Sequence, residues 1–242
     1  MNNLASILAG GGYRLLVVAA LTLGFAGLAW AIRGVTRSGA VAGAVVCFVL
    51  YLGAGAGAFL GLITVFLLAW VTTRLGHRRK VRLGTAQHRG GRKASQVLAN
   101  LALAALCAAA YAASRNPRFL AALVAALAEA AADTVSSEVG QAAGDSARLI
   151  TSWQMVPAGT DGAVTLAGTL AGFAAAAIVS TVCAGSGLLP WNWALAVSAA
   201  AVLGMVADSF LGASLQRRGI LNNDWVNLFS TMVAAALAAA IL

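Results

Sequence analysis

Eight apolar runs follow one another along this chain, each long enough or nearly long enough to cross a bilayer. They lie near residues 13–32, 40–53, 56–73, 95–113, 118–133, 163–183, 190–207 and 225–242. A helix needs about 20 apolar residues to span the hydrocarbon core, where only helices and closed barrels satisfy their own backbone. Barrel strands would alternate polar and apolar residues, and these runs do not. The expected fold is all-α: a polytopic membrane helix bundle of eight transmembrane helices, forming a single integral membrane domain over residues 1–242. Some helices should be short or broken. The second and third runs are parted only by Gly53-Ala54-Gly55-Ala56-Gly57, so residues 40–73 read as two spans or as one re-entrant unit.

Composition excludes the other broad classes. Hydrophobic residues make up 61% of the 242 and charged residues 10%, whereas soluble domains are about 45–50% apolar. Disorder needs the opposite balance. Abundant Ala and Gly let membrane helices approach closely. The first run lacks a basic leader and an Ala-x-Ala site, so it reads as a retained span rather than a signal peptide. Cys47, Cys107 and Cys183 sit far apart inside apolar runs and suggest neither disulfides nor a zinc site.

The net charge of +9 would suit nucleic acid, but the basic residues fall in short loops between apolar runs. With the first connecting loop in the cytoplasm, thirteen Lys and Arg lie on that side and three on the other. That is the positive-inside pattern of an integral membrane protein, in the inner membrane if the cell is bacterial. The lipid bilayer is then the expected partner, nucleic acid is not, and self-association stays open. His77 and His88 read as solvated loop residues, and Arg78 to Arg82 as orientation signals.

Only seven acids occur: Glu129, Asp133, Glu138, Asp145, Asp161, Asp208 and Asp224. In this topology all but Glu129 fall at cytoplasmic helix ends or loops, and none is expected near mid-span. Burying a carboxylate at the bilayer centre costs about 2.5–3.5 kcal/mol on insertion scales, so their concentration on one face is the main functional signal. If Asp133 lies on a helix, Ser137 and Gln141 share its face, while Glu138 points about 140° away. Carboxylates and hydroxyls suit Mg²⁺, a hard cation with oxygen ligands; Asp133 also fits a helix cap.

The stretch Gly159-Thr160-Asp161-Gly162-Ala163-Val164-Thr165 precedes an apolar helix. Its backbone N–H groups could cradle phosphate, with Asp161 on the accompanying metal; an ordinary turn with Asp161 as N-cap fits the same residues. Gly204, Asp208 and Gly212 share a helix face, and Asp208 fits a cap less well because it lies inside a helical pattern. Asn222, Asn223, Asp224 and Asn227 open the last span, where Asp224 reads as a cap or a metal ligand. Arg74, Arg92 and Lys93 adjoin helix ends and could hold phosphates; Arg33 and Arg37 could serve the same anion, with Ser38 as N-cap of the second span. No P-loop, dinucleotide fingerprint or metalloprotease motif is present.

The ordered set resembles the DUF92 or TMEM19-like membrane family. It comprises Thr36-x-Ser38-Gly39-Ala40, Arg74-Leu75-Gly76, Gln96 to Asn100, Asp133-Thr-Val-Ser-Ser-Glu138-Val-Gly140, Gly159-Thr-Asp161-Gly162 through Thr169, Asp208-Ser209-x-x-Gly212-Ala213 and Asn222 to Asn227. Ala163 stands where a second Gly is frequent. Since that family includes phytyl-phosphate kinase, the resemblance implies phosphoryl transfer from a nucleoside triphosphate, CTP among the candidates, to an isoprenyl monophosphate such as phytyl or geranylgeranyl phosphate. The implied active site is cytoplasmic, with Asp133, Asp161 and Asp208 catalytic. Mg²⁺ would sit on Asp133, Glu138, Asp161, Asp208 and Asp224. Phosphates would meet Arg33, Arg74, Arg92, Lys93, Ser137, Gly159, Thr160, Gly162, Thr165, Asn222, Asn223 and Asn227. The competing class is a small-solute or ion-coupled transporter, whose marks are broken helices and intramembrane acids.

Overall fold

The computed structural model describes residues 2–87 and 90–242, with side chains from residue 12 onward; His88 and Arg89 lie outside the described residues. The chain forms helices α1 (Asn2–Ala31), α2 (Arg37–Ala54), α3 (Ala56–Arg74), α4 (His77–Leu83), α5 (Ala94–Ser114), α6 (Arg118–Ala143), α7 (Leu166–Gly185), α8 (Trp191–Leu211) and α9 (Asn223–Ile241). All but α4 are long and apolar enough to cross a membrane, which gives the eight expected spans. The Gly-rich stretch contributes a single break: Gly55, at φ +82, separates α2 from α3. The two helices have 18 and 19 residues, so each reaches the length of a span.

The centre of the bundle is α6. Every residue from Ala121 to Ala132 is buried, and α3, α5, α7, α8 and α9 all pack on it. Eight of those twelve residues are alanine. With lipid outside, close packing rather than the hydrophobic effect holds membrane helices together, and a methyl-wide surface lets five neighbours approach at once. The closest neighbour is α7: a Cβ on Gly168 would lie 2.5 Å from the Ser136 carbonyl oxygen.

α6 runs unbroken for 26 residues, past the end of the apolar run seen in the sequence. Asp133 therefore lies inside the helix, and the capping reading is wrong. The second-span cap also differs from expectation. Thr36 is the N-cap, accepting from Gly39 N at 3.1 Å, and Ser38 lies in the first turn. Nor does Asp161 cap a helix, because Thr165 caps α7 by accepting from Gly168 N.

Between α6 and α7 the chain makes a small antiparallel sheet that the sequence did not disclose. Its strands are β1 (Ser146–Leu149), β2 (Met155–Pro157) and β3 (Ala163–Val164), in the order β2-β1-β3. Arg148 pairs with Met155 on one side and Val164 on the other. At the end of α8 a π-helical turn, Gly212–Gln216, continues the helix. Such turns are rare and often found at functional sites. The sheet, the π-turn and the basic loops all meet at one end of the bundle.

Candidate functional site

Asp133 on α6, Asp208 near the end of α8 and Asp161 on the loop between β2 and β3 line one cavity of about 250 Å³. Three segments distant in sequence thus converge at the basic end of the bundle. The carboxyl groups of Asp133 and Asp208 lie near enough to influence each other electrostatically, and the Ser230 hydroxyl donates to Asp208 Oδ2 at 3.2 Å.

Asp161 sits at the tip of a turn closed by Ala163 N donating to the Thr160 carbonyl at 3.0 Å. Its neighbour Gly162 has φ +71, the region that favours glycine at this turn position. A Cβ there would collide with Ala213 of the π-turn, so the loop is pressed directly onto the end of α8. The exposed Asp161 carboxyl is pushed above its ordinary range by partial burial, while Arg217 pulls it the other way. Gly159, Thr160, Gly162 and Thr165 line the cavity as expected, although the Thr165 hydroxyl is committed to the α7 cap.

Arg92 lines the same cavity, within electrostatic reach of Asp133 and Glu138. Its backbone is bridged to the loop after α1: Arg92 N donates to Gly34 O, and Thr36 N donates to Arg92 O. The approach needs Gly39 and Gly91 bare, since a Cβ on Gly39 would collide with the Arg92 carbonyl oxygen. Burial lowers the Arg92 pKa, and the negative charges of Glu138 and Asp133 raise it.

Several polar residues complete the cavity: Gln96 and Asn100 of α5, Ser137 and Gln141 of α6, and Asn223 and Asn227 of α9. Thr85 Oγ1 and Gln141 Oε1 are buried there without a hydrogen-bond partner, and such atoms call for a ligand or ordered water. Of these, Thr85 carried no sequence signal, whereas Gln141 was foreshadowed by its spacing from Asp133.

Other expected residues fall elsewhere. Glu138 borders the cavity, but Lys80 Nζ donates to its Oε2 at 2.5 Å and Thr73 donates to its Oε1 at 2.8 Å. Lys80, read from the sequence as an orientation signal, is fully buried. Arg33 and Arg74 line an adjacent pocket of about 370 Å³ together with Trp70, His77, Gln87 and Arg92. Within it Arg74 donates to Ile32 O and stacks 3.9 Å above the Trp70 ring centre. Asn222, Asp224 and Lys93 do not line the cavity. Asn222 caps α9 and Asp224 occupies its first turn, where a negative charge complements the helix dipole. Lys93 is the exposed N-cap residue of α5.

Glu129 departs from the expectation that no acid lies near mid-span. It is the twelfth of 26 residues in α6 and 1% exposed, one turn before Asp133. Its Oε1 has no partner. The helical spacing to Asp133 was the available signal.

An all-oxygen donor set of this kind suits a hard cation rather than zinc or copper. The five acids expected to share a metal are not gathered, however: among the described residues no three His, Cys, Asp or Glu are grouped so as to hold one ion. Asp133 and Asp208 could supply two carboxylates. Mg²⁺ is commonly held that way, by one or two carboxylates with waters and substrate phosphates filling the rest.

A second pocket, mainly apolar, adjoins the polar one. Phe25, Leu62, Val65, Phe66 and Leu101 help to line it, and it shares Arg92, Gln96, Asn100 and Thr134 with the polar cavity.

Comparison with known proteins agrees with this picture of the chain. The family model described as integral membrane protein DUF92 matches residues 20–235. An uncharacterized membrane protein of Synechocystis sp. is 35% identical over 78% of this chain and 76% of its own length. Another, from Methanocaldococcus jannaschii, is 31% identical over 85% of this chain and 84% of its own. The chloroplastic protein VTE6 of Arabidopsis thaliana is 30% identical over 86% of this chain and 65% of its own. No solved structure matches. The chain belongs to the DUF92 family of integral membrane proteins.

Proposed function

We propose that this protein is a prenyl-phosphate kinase, transferring the terminal phosphoryl group of a nucleoside triphosphate to an isoprenyl monophosphate to give the diphosphate. The carrying observation is that Asp133, Asp161, Asp208 and Arg92 share one cavity. The resemblance of the sequence to a family that includes phytyl-phosphate kinase points the same way. CTP is the first donor to test, and the site would face the cytoplasm, where the nucleotide is.

Phosphoryl transfer asks little covalent chemistry of a protein; positioning and charge stabilisation do most of the work. An oxygen of the acceptor monophosphate attacks the terminal phosphorus, and the bond from that phosphorus to the departing nucleoside diphosphate breaks. The attacking oxygen already carries negative charge, so no general base is assigned. Bound Mg²⁺ would neutralise phosphate charge as it redistributes. Asp133 and Asp208 would hold it, with Asp161 lining the same cavity. Arg92 would bind phosphate oxygens, and N–H groups of the Gly159–Thr165 loop would orient them. Asn223 and Asn227 supply side-chain amide donors on the α9 wall.

Transfer of label from CTP, ATP, GTP and UTP to prenyl monophosphates by the purified protein tests the reading. Asp133→Asn and Asp208→Asn should each abolish transfer while the protein elutes as the parent does. Glu129 favours one competing reading, because a buried mid-membrane acid is a mark of ion-coupled carriers. Solute movement in proteoliposomes, with no transfer to any prenyl phosphate, would establish that reading and reject the kinase.

A further inference from the structure

The apolar pocket beside the acid cavity is walled by α1, α2, α3, α5 and α6. Its polar end is the row of residues it shares with the cavity, Arg92 and Gln96 among them. Along α3 its lining extends from Ala69 back to Leu62, seven residues or about 10 Å of helix. Phe25, held edge-on against Phe66 at 5.3 Å, and Leu101 add to its apolar lining. A ligand filling both spaces would carry a polar or charged head and an apolar tail, joined beside the residues the two spaces share, Arg92 among them.

Gly43 is singular on this wall. It lies in α2, one helical turn beyond Gly39. A Cβ on Gly39 would strike backbone, whereas a Cβ on Gly43 would meet nothing within 4 Å. Glycine inside a helix is unfavourable by about 1 kcal/mol relative to alanine, so the bare position opens space at a cost to the helix. The space it opens belongs to the pocket.

We infer that this pocket receives the phosphate-proximal isoprene units of the acceptor, and that Gly43 sets how long a chain can enter. The inference rests on the prenyl-phosphate reading above and goes beyond it by naming the residue that governs chain length. A side chain grown from position 43 would fill the far half of the slot and leave the half beside Arg92 open. A five-carbon acceptor would then still reach the site, and longer chains would not.

The test uses the full-length protein in detergent, with dimethylallyl, geranyl, farnesyl and geranylgeranyl monophosphates as acceptors. Gly43→Ala, Gly43→Leu and Gly43→Phe form a graded series. The ratio of kcat/KM for geranylgeranyl over dimethylallyl phosphate should fall stepwise, by about tenfold or more at phenylalanine, the scale on which apolar pockets discriminate chain size. An unchanged ratio across the series, or an equal loss for all four acceptors, overturns the assignment of Gly43. If phenylalanine prevents folding, alanine and leucine carry the comparison, since neither has a neighbour to displace at its Cβ. Failure of the parent protein to use any of the four would instead overturn the prenyl-phosphate reading itself, a distinguishable result.

Discussion

Replacing Lys80 by methionine should destabilise the protein far more than its place in a basic loop would suggest. The side chain is 0% exposed. Its ammonium spends all three donors, on Glu138 Oε2 at 2.5 Å, Thr72 O at 2.9 Å and Thr73 O at 3.4 Å. Methionine keeps most of the volume, so little packing is lost. What remains is a half-buried Glu138 carboxylate without its cation and two carbonyls without their donor. Breaking a buried ion pair by removing one partner costs about 3–5 kcal/mol, and each kcal/mol lowers Tm by about 2–4 °C in a chain of this size. Lys80→Met and Glu138→Gln should therefore each unfold about 10 °C below the parent. The double variant should recover part of that loss, because no orphaned charge is left. Thermal unfolding of the four proteins in one detergent, followed by tryptophan fluorescence, gives the cycle. Activity per folded molecule then separates two roles for Glu138. If it ligates metal, Glu138→Gln abolishes turnover and Lys80→Met does not. If it serves as the partner of Lys80, the two variants lose stability together and keep comparable turnover. Single variants within a degree of the parent would refute the buried-pair argument.

Four further outcomes follow from other parts of the fold. Gly162→Ala should cost about 1–2 kcal/mol for the left-handed backbone alone, plus about 1–3 kcal/mol for overpacking against Ala213, with turnover lost before the fold; circular dichroism against activity over a temperature ramp checks the order. Gly39→Ala should destabilise through its collision with the Arg92 carbonyl, whereas Gly43→Ala should stabilise by up to about 1 kcal/mol, a contrast read from two melting curves. Burial raises the folded pKa of Asp161, so its stabilising contribution is full below the unfolded pKa and disappears as pH rises through the folded one. Asp161→Asn should thus melt no lower than the parent at neutral pH, with any gap closing toward about pH 4, while transfer is lost. Chelation should stop transfer and added Mg²⁺ restore it, with Ca²⁺ a poor substitute because it prefers longer, more numerous oxygen contacts.

The spans were legible because bilayer thickness sets a minimum apolar length for a crossing helix, and each of the eight runs in the sequence falls on one of the eight long helices among the described residues. Where polarity replaces that rule, reading from sequence fails in a consistent way. α6 continues through Asp133 and Glu138 to Ala143 because the bundle, not the lipid, surrounds its last turns, so a loss of apolar residues did not mark a helix end. The convergence of Asp133, Asp161 and Asp208 could be suspected from their common side. The sequence did not separate Glu138 or Asp224 from that group, since which acid faces a cavity and which faces Lys80 or a helix dipole depends on rotation about a helix axis. Lys80 was misread for a related reason. In a loop of six basic residues between Arg74 and Arg89, no local pattern says that one of them turns inward to meet α6.

The alanines of α6 and the acids beside them answer one physical requirement. A site made from α5, α6, α8, α9 and a sheet loop needs five segments within reach of the same small volume. Large side chains at the centre would hold the outer helices at the usual 8–10 Å between axes or beyond. Alanine at the centre and glycine on the facing helices, as at Gly168, Gly172 and Gly204, bring those helices closer. The closeness that assembles the cavity also forces Glu129, Asp133 and Asp208 together, at an electrostatic cost that Arg92, Ser230 and any bound cation offset. Stability and site geometry therefore oppose each other along this one helix. Substitutions that neutralise one of the acids, such as Asp208→Asn, should raise the melting temperature as they remove activity. Alanine-to-leucine changes in the 121–132 stretch should have the opposite effect on stability: they would spread the bundle, lower the melting temperature and still abolish activity, without touching an acid.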